Sequence, residues 1–364
     1  MAKIENNYYK QREVNCIKKI TTICEDLPSF VKEFIIGITD YTSPLTRLNY
    51  AYDLRIFFDF LVKSKFKSKI MYEITLSDLE ILEVTDFEYF LAYLSSYNIN
   101  GKEEVCNERA KARKLSTVRA FFKYFYNKGK IKSNVSSKLA LPKLHEKEII
   151  RLEINEVTEL LNLAESGDNL SKRQQAYHKN TRVRDIAILT LFLGTGIRNS
   201  ELVGLNIEDI DFENMSFAVT RKGGNRTILY FNDEVATALQ NWLKYRNSIK
   251  GLPNEERALF LSLQNKRISV RTIQELVKKY AKVITPLKKI TPHKLRSTFG
   301  TNLYRETSDI YMVADFLGHS DINTTKKHYA AIGEDMRRRA VSSVKLREED
   351  IKGSDENNDD WYKY

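Results

Sequence analysis

The sequence predicts a mainly α-helical protein with a small antiparallel β-sheet, divided into two domains. Apolar residues recur at three- and four-residue spacing through most of the chain, which is the period of a helix with one buried face. One stretch, 215–231, instead has two β-rich runs on either side of a glycine pair, which is typical of a hairpin. The length of 364 residues is enough for two hydrophobic cores.

The first half of the chain, 27–131, is predicted to be a bundle of helices. Ser43 and Pro44 mark the start of one of them, because proline is favoured in the first turn of a helix. Gly129 marks the end of the last one. The apolar periodicity places helices over 44–61, 86–94 and 115–125. We expect this helical domain to cover 1–143, followed by a short linker over 144–148.

The second domain is predicted to span 149–345, and an acidic tail over 346–364 is expected to be disordered. Its sheet is the hairpin noted above, with strands over 215–220 and 226–231. The polar, lysine-rich stretch 166–181 is interpreted as an exposed insertion. Helices are predicted over 154–164, 183–193, 234–246, 269–283, 292–306, 310–316, 323–329 and 336–349.

Composition narrows the class of protein. The net charge of +11 and the isoelectric point of about 9.2 indicate a polyanionic partner. The three cysteines are scattered, which argues against a disulfide framework and against zinc, and we expect no metal or other cofactor. The sequence has no apolar leader, and no apolar run approaches the roughly 18 residues of a membrane span. We therefore expect a cytoplasmic protein without a membrane partner.

A run of basic residues lies within 109–132, and no acidic residue interrupts it. Such a run neutralises phosphates and binds DNA with strong salt dependence and little sequence information. The alternative is a solvated helix face, although such faces normally carry acids as well. The interleaved Phe121, Phe122, Tyr124, Phe125 and Tyr126 are interpreted as core residues rather than platforms for bases. The candidate DNA contacts are Arg109, Lys111, Arg113, Lys114, Arg119 and Lys123.

Residues suited to phosphate chemistry are concentrated in the second half, where three of the five histidines, His293, His319 and His328, lie close together in sequence. His293 and Arg296 are three residues apart at a helix start marked by Pro292, so their side chains lie next to each other. A guanidinium binds two phosphate oxygens at once, an imidazole can transfer a proton, and a helix N-terminus favours an anion. The pair therefore predicts a site for a phosphodiester.

Three further residues are candidates for the same site. Arg198 follows a turn bracketed by glycines, although an isolated arginine there could equally form a surface salt bridge with Glu201. Lys222 lies at the tip of the predicted hairpin, where glycines allow close approach to a ligand, although a lone lysine there would ordinarily be solvated. Tyr329 lies on the helix that follows His319.

Together these motifs resemble the active site of the tyrosine recombinases, the phage-integrase and Xer family of site-specific DNA recombinases. In chain order they are Thr195-Gly196-Ile197-Arg198-x-x-Glu201-Leu202, the hairpin Lys222, His293-x-x-Arg296, Leu317-Gly318-His319 and Tyr329. The first half resembles the core-binding domain of that family through Thr46-x-x-x-Tyr50-x-x-Asp53-Leu54-x-x-Phe57 and Leu115-Ser116. The resemblance covers about 28–335. It implies a helical SAM-like core-binding domain and a tyrosine-recombinase catalytic domain.

The resemblance also implies a role for each residue. Arg198 and Arg296 would hold the scissile phosphate, and Tyr329 would attack it to give a 3′-phosphotyrosine. Lys222 would protonate the departing 5′ oxygen, and His293 would accept or donate a proton near the nucleophile. These roles are chemically consistent, because a phenol with a pKa of about 10 is a poor nucleophile at neutral pH unless cations stabilise the phenolate.

Two residues have supporting roles by the same resemblance: His319 would hydrogen-bond a phosphate oxygen, and Glu201 would orient its neighbours without reacting. The sequence departs from the family pattern in the spacing of Tyr329 and in the residue that follows Arg296. Tyr329 follows His319 by ten residues, where Xer-like members usually have nine, and His328 occupies the ninth position. Ser297 stands where many members have a histidine.

The implied substrate is double-stranded DNA with core recombination sites, bound by a tetrameric synapse of this chain, and the need for an accessory directionality factor stays open. Such an enzyme would act at the nucleoid in the bacterial cytoplasm, in mobile-element integration or excision or in Xer-like resolution. Two alternatives also stay open. A catalytically inactive architectural or regulatory DNA-binding protein is disfavoured by the complete set of six residues, and a type IB topoisomerase is disfavoured by the core-binding motif.

Overall fold

The computed structural model describes residues 8–99, 101–142, 150–221, 224–252 and 256–318. The chain divides into two compact units, Met1–Lys147 and Glu148–Tyr364. We call them unit 1 and unit 2. The predicted linker and tail, and the helices predicted over 323–329 and 336–349, lie outside the described residues.

Unit 1 is a bundle of helices with one short hairpin. Its helices are α1 (Tyr8–Glu25), α2 (Ser29–Gly37), α3 (Pro44–Ser64), α4 (Leu76–Glu80), α5 (Val84–Tyr93) and α6 (Glu108–Asn127). The hairpin joins β1 (Tyr97–Ile99) to the antiparallel β2 (Lys102–Glu104). Helix α3 begins where the sequence predicts, because the Ser43 hydroxyl accepts a hydrogen bond from the Thr46 amide and Pro44 occupies the first turn.

The core of unit 1 is rich in phenylalanine rings. Phe121 and Phe125 of α6 are fully buried, with ring centroids 5.1 Å apart in an edge-to-face arrangement. Phe57 of α3 contacts Phe90 of α5 at the same distance. Phe122 is 2% exposed, so the interpretation as core is confirmed for the three phenylalanines of α6, and the partly buried Tyr124 packs against them. It is wrong for Tyr126, whose side chain is 48% exposed because it lies on the outer face of α6.

Unit 2 is helical around a three-stranded sheet. The strands are β3 (Ile210–Asp211), β4 (Ser216–Thr220) and β5 (Arg226–Tyr230), in the order β3-β4-β5 with both pairs antiparallel. The predicted hairpin is therefore confirmed, with Thr220 opposite Arg226 next to its turn. The helices are α7 (Ile154–Ser166), α8 (Lys172–Thr195), α9 (Asn199–Gly204), α10 (Asp233–Asn247), α11 (Val270–Ile284), α12 (Pro292–Thr307) and α13 (Ile310–Leu317).

Most of 166–181 is exposed, as predicted, but it is not a separate insertion, because the helix predicted over 183–193 begins within it and most of it is the first part of α8. The helix begins after Ser171, whose hydroxyl accepts from the Gln174 amide while the Gln174 side chain accepts from the Ser171 amide. His178 is 5% exposed and lies 2.9 Å from the Ala164 carbonyl oxygen. This turn of α8 is therefore part of the core contact between α7 and α8.

In the portions of the chain that the structure describes, no helix combines the length and the apolar character needed to cross a membrane.

Candidate active site

A left-handed turn places Arg198 at the site. Helix α8 ends at Thr195, and Gly196 follows with a φ of 63°. A side chain at Gly196 would also meet the ring of Phe299 and the Leu317 side chain, so the position requires glycine for its conformation and for its space. The chain then turns into α9, with Arg198 as the residue that precedes its first turn.

Glu201 holds Arg198 at two points. The Arg198 amide donates to Glu201 Oε2 at 3.0 Å, and Arg198 Nη1 donates to Glu201 Oε1 at 2.7 Å. Glu201 is 3% exposed, whereas the Arg198 side chain is 34% exposed. The carboxylate is therefore buried beneath the guanidinium, whose remaining donors point away from it.

Arg296 comes from α12 and is 4% exposed. Its Nη1 donates to the Gly196 carbonyl at 2.5 Å, which fixes the guanidinium against the turn before Arg198. His293 lies one turn earlier on the same helix, which Pro292 begins, and its side chain is exposed. The i, i+3 spacing predicted from the sequence is thus realised on a helix start.

The two arginines converge on the C-terminal end of α13. Arg198 Nη2 donates to the Leu317 carbonyl at 3.0 Å and to the Gly318 carbonyl at 2.7 Å. Arg296 Nη2 donates to the same Leu317 carbonyl. The structure therefore brings together two of the six predicted catalytic residues, and Glu201 with them. Lys222, His319 and Tyr329 lie outside the described residues.

Sequence reasoning missed a third guanidinium at this helix end. Arg221 lies at the end of β4, and its Nη2 is 3.3 Å from the Phe316 carbonyl oxygen. Burial lowers the pKa of the Arg221 guanidinium, and the nearby Arg198 cation also lowers it, while Glu201 and Asp315 raise it. The only sequence signal for Arg221 was its position directly before Lys222, which alone assigns it no role.

This arrangement is suited to binding an anion. Carbonyl groups orient the guanidiniums but carry no net charge, and Glu201 hydrogen-bonds Arg198. Three guanidiniums therefore meet at the end of α13, where Glu201 and Asp315 are also close to Arg221. Planar guanidiniums at fixed positions can bind the non-bridging oxygens of a phosphate and stabilise charge that develops on them.

Comparisons with known proteins agree with this geometry. Residues 151–335, slightly more than half of the chain, match the family model described as the phage integrase family. The chain belongs to this family. It is thus related to the tyrosine recombinases, which break and rejoin DNA, and the family membership expected from the motifs is confirmed.

Several phage integrase family members are similar to this chain over most of its length. Tyrosine recombinase XerC of Caldanaerobacter subterraneus subsp. tengcongensis is 37% identical over 337 residues, which cover 88% of each chain. Tyrosine recombinase XerS of Streptococcus agalactiae serotype III is 30% identical over 353 residues, which cover 90% of this chain and 98% of that protein.

Solved structures of family members share the fold. The XerH site-specific recombinase bound to palindromic difH substrate matches with a TM-score of 0.66 and 17% identity, over 92% of this chain and 90% of that one. The Tn1549 transposon integrase in complex with circular intermediate DNA matches with a TM-score of 0.58 and 20% identity, over 83% of this chain and 95% of that one. The predicted fold class is confirmed.

In unit 1, the six candidate DNA contacts all lie on α6 but differ in their surroundings. Arg109, Arg113 and Lys123 are exposed, and Lys111 donates to the Ser95 hydroxyl at 2.6 Å. Arg119 donates to the carbonyls of residues 136, 137 and 139, which fastens α6 to the segment that follows it. Their contact with DNA stays a prediction.

A buried carboxylate also engages two of these cations. Asp53 of α3 is 1% exposed, and it accepts hydrogen bonds from Arg113, from Lys114 Nζ at 3.3 Å and from Thr117 at 2.9 Å. Lys114 is itself 7% exposed. Arg113 is half-exposed while its guanidinium is held from below, so α3 orients a cation at the surface of α6.

Proposed function

We propose that this chain cleaves and rejoins DNA strands at specific sites through a covalent 3′-phosphotyrosine, with Tyr329 as the nucleophile. Family membership establishes the class of enzyme, and the assignment of steps to individual residues is the proposal. The observation that supports it best is the convergence of Arg198 and Arg296 on the end of α13, one residue before His319.

In this proposal the two arginines bind the non-bridging oxygens of the scissile phosphate. Attack by the Tyr329 oxygen places additional negative charge on those oxygens, and fixed guanidiniums stabilise it more than water can. Glu201 keeps Arg198 in place from below, which suits a residue that orients without reacting. The cations also favour the phenolate form of the nucleophile.

Proton transfers complete the cycle. The bond from phosphorus to the 5′ oxygen breaks as the bond to the tyrosine oxygen forms, and Lys222 delivers the proton that the departing oxygen needs. His293 takes up or returns the nucleophile's proton, and His319 hydrogen-bonds a phosphate oxygen. The phosphotyrosine conserves the ester, so the 5′ hydroxyl of another strand reverses the attack and joins to the new partner without an external energy source.

The two units divide the work. Residues 1–143 bind the core site, with Arg109, Lys111, Arg113, Lys114, Arg119 and Lys123 near the DNA backbone. Residues 149–345 carry out the chemistry, and 144–148 link them. Four copies assemble on two DNA sites at the nucleoid, in the bacterial cytoplasm, and an accessory factor can set the direction. The biological role is mobile-element integration or excision, or Xer-like resolution, and the match to tyrosine recombinases XerC and XerS along most of their length supports recombination.

A nicked duplex tests the nucleophile directly. The nick lies close to the cleavage position, so that the short fragment with the 5′ hydroxyl diffuses away and the covalent adduct accumulates. The wild-type chain recovers its own substrate from a pool of nicked duplexes with random flanking sequence. We expect a protein–DNA adduct with wild type and none with Tyr329→Phe. Tyr311→Phe is the matched control, because Tyr311 is an exposed tyrosine on α13, and this variant should form the adduct normally.

The same duplex tests the arginines. Arg198→Ala should bind the DNA almost as well as wild type but cleave it on the order of 10² to 10³ times more slowly. Near-normal cleavage by Arg198→Ala, or an adduct with Tyr329→Phe, would contradict the assignment. A wild-type chain that binds DNA without any adduct would indicate the architectural alternative. Relaxation of supercoiled plasmid with no exchange between two sites would indicate a topoisomerase.

A further inference from the structure

Three guanidiniums meet one helix end in unit 2. The last carbonyls of a helix have no partners within the helix and form the negative end of its dipole, so cations are favoured there. At the end of α13 the Phe316 carbonyl accepts a hydrogen bond from Arg221. The Leu317 carbonyl accepts from both Arg198 and Arg296, and the Gly318 carbonyl accepts from Arg198. Two of these arginines are candidates for binding the phosphate, and Arg221 is the third.

Arg221 is fixed at both ends. Its amide donates to the Asn225 carbonyl at 2.8 Å, and its carbonyl accepts from the Gly224 amide at 3.0 Å, which closes the β4–β5 turn. Its guanidinium occupies the space that a side chain at Gly318 would need, and Gly318 has a φ of 56°. Glycine at 318 therefore allows Arg221 to lie against the last turn of α13.

The placement of Arg221 lowers the stability of the folded chain unless its contacts have a role at this position. Its Nε is buried and has no hydrogen-bond partner among the described residues. The guanidinium is also near that of Arg198, a like charge. A surface arginine without a role would turn its side chain to water instead.

We propose that Arg221 is a positioning residue for DNA cleavage, holding the last turn of α13 so that its carbonyls keep Arg198 and Arg296 in the geometry that binds the phosphate. The inference rests on the proposed function of those two arginines. Arg221 acts on them through a shared element, because the Leu317 and Gly318 carbonyls adjoin the Phe316 carbonyl that Arg221 holds. Without Arg221, this turn loses one of its three anchors.

The test compares single-turnover cleavage of two scissile linkages by the full chain. One is the ordinary phosphodiester, and the other is a methylphosphonate, in which a methyl group replaces a charged non-bridging oxygen. Arg221→Ala should lower cleavage of the phosphodiester about 10- to 100-fold, the range expected when a catalytic group shifts by about 1 Å. Cleavage of the methylphosphonate should fall much less, because it depends less on the arginines. Gly318→Ala, whose methyl group displaces the Arg221 guanidinium, should show the same selective loss.

Arg246 provides a matched control for an ordinary structural role. It is a buried arginine of the same unit whose guanidinium donates to the carbonyls of Ala258 and Glu256 at 3.1 and 2.7 Å, and burial lowers its pKa as it does for Arg221. Arg246→Ala should lower stability but leave the ratio of the two cleavage rates as in wild type. If Arg221→Ala and Arg246→Ala change this ratio equally, Arg221 has no role at the site.

A second measurement separates positioning from direct contact with DNA. In the Tyr329→Phe background, the affinity for the duplex is measured as a function of salt concentration. Loss of one phosphate contact lowers the slope of log K against log salt by about 0.9. Arg221→Ala should leave the slope unchanged, and a decrease of that size would overturn the positioning role. Absence of any adduct with the wild-type chain would instead refute the proposed function itself.

Discussion

Gly196→Ala should destabilise unit 2 more than any ordinary replacement of a glycine in a left-handed turn. Gly196 ends α8 with a φ of 63°, and a methyl group there would overlap the Phe299 ring and approach the Leu317 side chain at 3.1 Å. Gly251 is the matched control, because it has a φ of 76° and no atom within 4 Å of the position of an added Cβ. Both substitutions strain the backbone, and only Gly196→Ala also inserts a methyl group into occupied space.

The magnitude follows from these two contributions. Left-handed backbone costs about 1–2 kcal/mol for a residue with a Cβ, and this contribution is common to both variants. Overpacking of a core costs about 1–3 kcal/mol, and this contribution applies to Gly196→Ala alone. The entropy that alanine removes from the unfolded chain stabilises both variants alike and cancels in the comparison. The free energy of unfolding of Gly196→Ala should therefore lie about 1–3 kcal/mol below that of Gly251→Ala.

Tryptophan fluorescence during urea unfolding measures this difference in the full chain. The chain has two tryptophans, Trp242 and Trp361, and Trp242 lies in the described part of unit 2, so the change in its signal reports on this unit. Trp242 is 2% exposed in the folded state. Equal free energies of unfolding for the two variants would refute the argument that close contact, rather than backbone conformation alone, requires glycine at position 196.

Two further predictions concern groups that hydrogen-bond buried carboxylates. Asp53→Asn leaves Lys114 buried without a counter-ion, so we expect the free energy of unfolding of unit 1 to fall by about 3–5 kcal/mol. Far-ultraviolet circular dichroism during urea unfolding measures this loss. Glu33→Gln, at a partly exposed ion pair, should cost about 0–1 kcal/mol, and equal losses would contradict the reasoning. Burial, together with the Asp185 carboxylate at 2.9 Å, raises the pKa of Tyr280 above its ordinary value near 10. The folded state therefore holds this proton more tightly than the unfolded chain, so the free energy of unfolding of unit 2 should fall as pH rises above about 10. The Tyr280→Phe variant should lose less stability over that range. An identical pH dependence of unfolding in wild type and variant would exclude this cause.

The helices that sequence analysis located best are those with clear end signals. Ser43 and Pro44 begin α3, and Pro292 begins α12, as predicted. The first turns of α8 were missed because their exposed residues are polar and hide the helical period, although Ser171 and Gln174 form a capping box that was visible in the sequence. Short strands such as β1 and β2 carry no comparable signal, since three residues are too few for an alternating pattern.

For the candidate site, the sequence could indicate the residue types but not the element that unites them. Arg198, Glu201 and Arg296 were predicted through their motifs, and the structure places them together. Arg221 could not be assigned, because its role depends on where α13 ends relative to β4, which no local pattern specifies. The burial of Asp53 likewise depends on how α6 lies against α3, because the groups that hydrogen-bond its carboxylate come from α6.

The partners of the arginines explain how their guanidiniums are held in place within a folded chain. A buried carboxylate cancels much of a cation's charge, as Asp53 does for Lys114 in unit 1. A carbonyl group instead supplies a dipole that fixes the direction of a guanidinium and leaves its charge uncompensated. At the end of α13, Glu201 pairs with Arg198 and Asp315 lies near Arg221, while carbonyls orient the donors of Arg198, Arg296 and Arg221. The arginines are therefore ordered during folding rather than when the phosphate arrives, which is the condition under which fixed charges accelerate a reaction most.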